Sequence, residues 1–436
     1  MTHRFLPLAV LVVVFALLMV LPPRRVDAQT SSGLRSRIEQ ELFTFGECGT
    51  TLCLDLDNTH GDHYIPSLAE GNDAVISFIT DAIGNATLSV PLSATSSGAT
   101  FSFVGGIPVR TSTSAGPIFG ERTQTLGKGR FFIGASVTGV DFTSLNGVPL
   151  ENMQLNFKHE DGDPSGTLGE PDFENDIMEL DLAMKVNVIV GTFALTAGLT
   201  DFIDVGIALP FVRTKVSGRS DAQIQPFGNS PVHRFGGDGT DPVLRATASM
   251  EGSASGIGDV AARVKINLGQ GSTMGAALLT EVRFPTGDED NLLGAGATQI
   301  RAMALYSAQL GTFSPHLNVG YAARNGEKQR DGVVIQAAFD NLLTEWATLA
   351  VGVESEFQVG ESKFVLPSTI EIEEPFRRRF PATNVPNRSG DLLRASLGGK
   401  FTVRGGTVLV VNGIFPLRDV GLQPDFIWTV GLDFPF

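Results

Sequence analysis

The sequence predicts an all-β fold, a transmembrane antiparallel β-barrel of about 12 strands (10–14) preceded by a small mixed N-terminal segment. Three observations predict it: a period of two along many segments, connections that alternate in length, and a characteristic composition. Gly accounts for 50 of the 436 residues and Phe for 30, while charged residues make up only 18%. Low charge and abundant Phe argue against disorder. A polytopic helical membrane protein is excluded because the chain has only one long apolar run.

The period of two is clearest between Met178 and Val190. Apolar residues occupy the even positions of this segment, whereas Glu179, Asp181 and Lys185 occupy odd ones. A helix would spread these charges around its surface, so the segment is predicted to be a strand.

Twelve segments after residue 130 are predicted to be strands, and most are long enough to cross a bilayer, which takes ~9–11 tilted residues. They are 131–142, 177–199, 204–217, 257–268, 273–286, 298–310, 312–324, 333–341, 346–359, 391–404, 406–417 and 425–436. Tight turns and longer loops alternate between them, which is typical of outer-membrane barrels with short periplasmic turns. An even number of strands places both ends of the barrel on the periplasmic side.

Charged side chains on these strands cannot face lipid cheaply, so we expect them to point into the lumen. The predicted lumen-lining residues are Glu179, Asp181, Lys185, Arg263, Lys265, Glu281, Arg283, Arg301, His316, Glu354, Glu356, Arg394, Lys400 and Arg404. Because their signs are mixed, they predict no strong preference for anions or cations.

Residues 1–28 have the pattern of a secretory signal peptide. An apolar run follows Arg4, and Val26 and Ala28 are the small residues expected before a cleavage site. The alternative is an uncleaved anchor helix, because Arg24 and Arg25 follow the run. The predicted division is a signal peptide at 1–28, a plug or periplasmic segment at 29–130, and an outer-membrane barrel of Gram-negative type at 131–436.

Cys48 and Cys53 lie in the exported segment and are expected to form a disulfide. Free thiols are one alternative. A zinc site that also uses His60 and His63 is another, although the Cys spacing matches the usual ligand pairs poorly. Otherwise no metal or cofactor is predicted, and a net charge of −15 argues against a nucleic-acid partner.

Several motifs resemble the outer-membrane protein family named for the meta-pathway of phenol degradation, which is related in architecture to long-chain fatty-acid and aromatic-hydrocarbon transporters. The motifs are Gly116–Arg130, Leu199–Pro210, Ser255–Asp259, Phe284–Asp288 and Leu293–Gly296. The first of these resembles the family's approach to its first strand, and the third and fourth carry Gly-x-Gly-Asp and Pro-Thr-Gly-Asp. The resemblance implies a barrel that takes up small solutes, and residues 29–115 lie outside it.

The last predicted strand resembles the C-terminal strand of bacterial outer-membrane barrels, which ends in an aromatic residue read by the barrel-assembly machinery. Trp428, Phe434 and the terminal Phe436 carry this resemblance. It implies the assembly machinery and outer-membrane lipid as partners.

The favoured function is passive uptake of small, hydrophobic or aromatic solutes. The alternative is a surface or structural protein whose lumen is sealed by salt bridges. An outer-membrane hydrolase is the third hypothesis. The sequence has no Gly-x-Ser-x-Gly motif, and no serine partner is recognisable for His316, so no enzymatic activity is predicted.

Overall fold

The computed structural model describes residues 33–45, 101–104, 107–110, 120–159, 174–227, 233–238, 240–271, 273–326, 329–361, 369–388, 390–403 and 407–435. The predicted signal peptide, Cys48, Cys53, Arg404 and Phe436 lie outside these residues, and what was predicted for them stays a prediction.

One helix and twenty-one strands lie in the described part of the chain. They are α1 (Leu34–Glu41), β1 (Phe101–Val104), β2 (Ile107–Arg110), β3 (Phe131–Leu145), β4 (Val148–Pro149), β5 (Met153–Lys158), β6 (Ile177–Gly198), β7 (Ile203–Gln225), β8 (Gly236–Gly237), β9 (Pro242–Val243), β10 (Arg245–Ile257), β11 (Ala261–Gln270), β12 (Met274–Arg283), β13 (Gln299–Ala308), β14 (Phe313–Arg324), β15 (Asp331–Thr344), β16 (Ala347–Val359), β17 (Thr369–Ile372), β18 (Arg378–Pro381), β19 (Leu392–Thr402), β20 (Val408–Pro416) and β21 (Leu422–Pro435).

Twelve of these strands close an antiparallel barrel. Their order around the ring is β3, β6, β7, β11, β12, β13, β14, β15, β16, β19, β20 and β21, and β21 pairs with β3 to complete it. Each matches one predicted strand, so the predicted fold class is confirmed. Closure leaves no free strand edge, which a sheet in lipid requires.

Tight turns join the strands at one end of the barrel, which we call the turn end, and the long connections lie at the other, the loop end. Residues 199–202 and 309–312 are two of the tight turns. Pro435 at the end of β21 pairs with Phe132 at the start of β3. The barrel therefore begins and finishes at its turn end, as an even strand number requires.

Apolar side chains cover the outer face of the strands between the two ends. Leu278 and Ile300 are examples, exposed by 45% and 46% on neighbouring strands. Exposed aromatic residues gather near each end: Phe131, Phe202, Phe313 and Trp346 at the turn end, and Phe284, Tyr321, Phe357 and Phe415 at the loop end. Phe thus takes many of the interfacial positions that Tyr and Trp hold in most barrels. No helix among the described residues is both long and apolar enough to cross a membrane.

The hairpin of β6 and β7 continues well past its neighbours at the loop end. These strands have 22 and 23 residues and pair along their whole length. β5 extends the sheet on the β6 side and β10 on the β7 side, and we call this four-stranded part the extension. The prediction of loops at 143–176 and 218–256 is wrong where β5, the end of β7 and β10 lie. β10 is rich in Ala, Ser and Gly and carries little of the apolar alternation that marks a strand.

The inner face of the extension packs on the N-terminal segment. Leu42, Phe43 and Phe45 are almost fully buried there, and the Phe43 ring meets Phe157 of β5 edge-on at 6.5 Å between centroids. The Ser220 hydroxyl donates a hydrogen bond of 2.5 Å to the carbonyl of Leu42. The largest apolar core of the described chain therefore lies at the loop end, between α1 and the extension.

Candidate functional site: the barrel lumen

Ten of the predicted lumen residues have buried or half-buried side chains, at inward positions of the barrel strands. They are Arg263, Lys265, Glu281, Arg283, Arg301, His316, Glu354, Glu356, Arg394 and Lys400. They fall into two groups. Lys265, His316 and Lys400 lie toward the turn end, and the others lie nearer the loop end.

For Glu179, Asp181 and Lys185 the lumen prediction is wrong. All three are exposed on the outer face of the extension, and Lys185 pairs with Glu151 at 3.3 Å while both side chains stay largely in solvent. Here the apolar side chains point inward and the charges point outward. We call the band of outward-facing apolar side chains between the two ends of the barrel the belt. This part of β6 lies beyond the belt, so its outer face meets water instead of lipid.

The chain crosses the lumen near the turn end before it enters β3. The Leu126 N–H donates to both carboxylate oxygens of Asp204, at 3.1 and 3.0 Å. Glu121 lies deeper, where its carboxylate accepts a hydrogen bond of 3.0 Å from Arg263 and lies 3.7 Å from the Lys265 ammonium. We call residues 120–126 the thread. Because the thread contacts inward side chains of several barrel strands, it lies in the lumen.

Buried charges surround the thread. Lys265 lies between Glu121 and Asp204, 3.9 Å from the latter, and its side chain is 4% exposed. Lys400 is 1% exposed and faces Arg122, Asp340 and Asp433. Buried charges are tolerated only where opposite charges or hydrogen bonds compensate them. The thread therefore belongs to the electrostatic balance of this end of the lumen.

His316 has a serine partner after all, and the prediction that it has none is wrong. Ser307 and His316 face each other across β13 and β14, with Ser307 Oγ 2.8 Å from His316 Nδ1. His316 Nε2 lies 2.6 Å from Asp340 Oδ1 on β15, and the Thr123 N–H donates to Ser307 Oγ at 3.2 Å. A neutral imidazole satisfies this chain if the Ser307 hydroxyl donates to Nδ1 and Nε2–H donates to Asp340.

The loop-end group is a ladder of arginines and glutamates. Arg324 donates to Glu356 at 2.6 Å, and Arg283 donates to Glu281 at 3.2 Å. Arg394 lies 3.9 Å from Glu354, which also accepts a hydrogen bond from Gln336. These pairs run along the inner face from β12 to β19. They make one wall of the lumen polar, whereas the loop-end part of β6 and β7 is apolar and packs on the N-terminal segment.

The motifs Ser255–Asp259 and Phe284–Asp288 are joined by hydrogen bonds at the loop end. Asp259 accepts hydrogen bonds from the N–H groups of Gly287 and Ala295, each at 3.0 Å. The Thr286 hydroxyl donates to the Gly258 carbonyl at 2.7 Å. Burial raises the pKa of Asp259, and the two N–H donors oppose that rise. The motifs thus fix a loop at this end of the barrel.

The same loop holds the start of α1. The Arg35 N–H donates to the Asp290 carbonyl at 2.8 Å, and the Leu34 N–H donates to Asn291 Oδ1 at 3.3 Å. A Cβ at Gly33 would approach the Asp290 carbonyl oxygen to 2.8 Å, so this close contact needs glycine. Free N–H groups at the first turn of a helix need such acceptors.

A run of three arginines in the loop after β16 is largely paired within its own hairpin. Glu371 on β17 accepts from Arg377 at 2.5 Å and pairs with Arg379 at 2.7 Å. The hydrogen bond from Arg377 lowers the pKa of Glu371. Arg378 stacks on the Phe227 ring at 4.0 Å. Within the described ranges, no group of three or more His, Cys, Asp or Glu side chains is placed to hold a metal ion.

Trp428, one of the residues of the C-terminal strand signal, faces outward on β21 at 39% exposure. Its ring covers Gly139 of β3, where a Cβ would lie 2.3 Å from the ring. Phe434 is half-buried on the same strand face. Their role in assembly stays a prediction.

Sequence reasoning missed several residues of the lumen. Asp340 and Asp433 carry the inward parity of their strands, so the period of two could have found them. Glu121 lies outside any strand, and its position depends on how the thread folds back into the barrel. The Gly116–Arg130 motif contains Glu121, but its resemblance to the family indicates only the approach to the first strand.

Comparison with known proteins gives one family match and several structural likenesses. A family model described as "MetA-pathway of phenol degradation" matches residues 178–361. No curated protein sequence matches the chain.

Among solved structures, an outer membrane channel from Pseudomonas putida F1 is similar at 12% identity and a TM-score of 0.43, covering 72% of this chain and 98% of that one. A Pseudomonas aeruginosa FadL homologue has 12% identity and a TM-score of 0.31, over 70% and 88% of the two chains. The CymD monoaromatic hydrocarbon channel has 8% identity and a TM-score of 0.33, over 71% and 89%. The resemblance to the phenol meta-pathway family is confirmed by the family match, which spans β6 through β16.

Proposed function

We propose that this protein is an outer-membrane channel for passive uptake of small, hydrophobic or aromatic solutes. The observation that carries the proposal is the two-sided lumen inside a closed barrel. Val186, Val188 and Val216 of β6 and β7 belong to the apolar core that the N-terminal segment covers, while the arginine and glutamate ladder lies on the opposite strands. An interior that is apolar on one side and charged on the other suits a solute with an apolar body and one polar group.

Twelve strands suit such a passage in size. Eight-stranded barrels fill with side chains, and barrels of sixteen or more leave a wide aqueous channel. A barrel of intermediate size with the thread across its turn end supports a narrow path. The family description, which names a pathway of phenol degradation, favours aromatic solutes over sugars or peptides.

Uptake of radiolabelled phenol by Gram-negative cells that produce the full chain tests the proposal. Their lipopolysaccharide leaflet slows entry of apolar solutes, so a channel should raise the initial rate above that of cells with an empty vector. Arabinose of similar size serves as the polar control and should enter at an unchanged rate. Equal phenol rates with the folded barrel in the outer membrane would reject the proposal.

A sealed lumen is the second candidate, and the thread favours it. Glu121 joins Arg263 and Lys265, and Thr123 joins Ser307, so the chain spans the interior by paired contacts. Planar-bilayer recording separates the two candidates. A channel conducts as the unmodified protein, whereas a sealed barrel conducts only when Glu121→Ala releases the thread.

Hydrolysis finds support in the Ser307–His316–Asp340 arrangement, because a nucleophile, a base and an orienting group lie within hydrogen-bond reach. Two observations weigh against it. Ser307 is only 3% exposed, and its oxygen already accepts the Thr123 N–H. The arrangement better supports an anchor for the thread, and a fluorophosphonate probe that labelled Ser307 would reverse this assignment.

A further inference from the structure

Arg301 stands apart from the other arginines of the loop-end ladder. Its Nε is buried without a hydrogen-bond partner, and it forms none of the ion pairs found among the described residues. Arg283, Arg324 and Arg394 each have a glutamate partner. Arg301 is half-buried as a whole, but a buried N–H donor without an acceptor is costly unless something completes its contacts.

The acidic groups that face Arg301 are Glu281, Glu354 and Glu356. Each is already held by a neighbour: Glu281 by Arg283, Glu356 by Arg324, and Glu354 by Gln336 and Arg394. Among these four arginines, Arg301 is the one without a direct glutamate partner in the described part of the chain.

Apolar side chains lie next to Arg301 on the same inner face. Ala322 is its partner across β13 and β14, and Met303 follows it two residues along β13. Both belong to a buried apolar cluster with Leu279, Leu305 and Val334. A positive charge beside an apolar patch matches a molecule with one negative group on an apolar body.

We propose that Arg301 binds the carboxylate of a small organic acid with an apolar body as it passes the lumen. A carboxylate accepts two parallel hydrogen bonds from the planar guanidinium fork, which a neutral group of the same shape cannot do. The inference rests on the proposed channel function and names a substrate class for it.

Equilibrium dialysis of radiolabelled benzoate against the detergent-solubilised full chain tests this site. Benzamide has the same shape without the charge and is the matched ligand. Arg301→Gln should weaken benzoate binding by about tenfold to hundredfold, as expected for loss of charge-assisted hydrogen bonds. Benzamide binding should stay unchanged. Arg219→Gln makes the same charge change on the outer face of the extension and should bind benzoate like the unmodified protein.

Arg301→Lys keeps the positive charge and removes the fork, so it should fold normally and bind benzoate at an intermediate strength. Equal benzoate binding by the unmodified protein, Arg301→Lys and Arg301→Gln would overturn the site. So would a protein that binds benzamide as tightly as benzoate. Dialysis does not depend on transport, so absent phenol uptake with intact benzoate binding would reject the channel alone. Intact phenol uptake without benzoate binding would reject the Arg301 site alone.

Discussion

The strands of the belt and of the extension share the same period of two, but they turn opposite kinds of side chain inward. Polar side chains face inward in the belt, and apolar side chains face inward in the extension. In the belt, Leu278 points out to lipid while Arg263 points in. In the extension, Lys185 points out to water while Met184 lies in the core. Alternation establishes that a segment is a strand with two unlike faces. The medium around each part of the barrel decides which face is inside.

The largest expected effect comes from breaking the polar interior of the belt. Lys265→Met leaves the carboxylates of Glu121 and Asp204 buried without their ammonium partner, which should lower the free energy of unfolding by about 3–5 kcal/mol. Urea unfolding of the refolded barrel, followed by Trp fluorescence, measures it. Adding Glu121→Gln to Lys265→Met should restore part of the loss. If the free energy of unfolding fell no more than it does when a solvent-exposed ion pair is removed, this end of the lumen would be open to water.

The second-largest loss of stability is expected when a charge is placed on the outer face of the belt. Leu278 lies midway along β12 and faces outward, so Leu278→Arg should cost about 2–4 kcal/mol, as an arginine on the lipid face near the bilayer midplane does. Asp181→Arg is the control on the extension, where the new charge faces Asp221 across the hairpin and meets water. It should leave stability unchanged or slightly raised. Equal losses in both variants would contradict the assignment of belt and extension.

The sequence alone predicted the twelve barrel strands and the inward face of most of them. Charged side chains avoid lipid, so in an alternating strand they mark the face that points into the barrel. The prediction from sequence failed for Glu179 and β10. Parity could not show where the belt stops, and small polar residues in β10 hide its strand pattern. Contacts such as Glu121 with Arg263 depend on chain segments 142 residues apart, so no local pattern encodes them.

Ser307→Ala probes the thread at the turn end, with a moderate expected effect. Loss of the hydroxyl leaves the Thr123 N–H and His316 Nδ1 without their shared partner, which should cost about 1–3 kcal/mol. The same urea titration measures the loss, and planar-bilayer conductance should rise as the thread loosens. No labelling by a fluorophosphonate is expected in either the unmodified or the variant protein. Labelling of the unmodified protein alone would identify Ser307 as a nucleophile.

Lys185→Met should have the smallest effect and is the sharpest test of the comparison. If Lys185 lined the lumen, removing its charge would disturb buried partners as Lys265→Met does. The structure instead places it 77% exposed beside Glu151, which is 64% exposed, and an ion pair between such exposed groups contributes little. The free energy of unfolding should therefore change by no more than about 0.5 kcal/mol. Met184→Lys, the adjacent exchange on the other face, should be strongly destabilising because it buries an unpaired ammonium in the apolar core. If the two variants behaved alike, β6 would not have the inward apolar face that separates the extension from the belt.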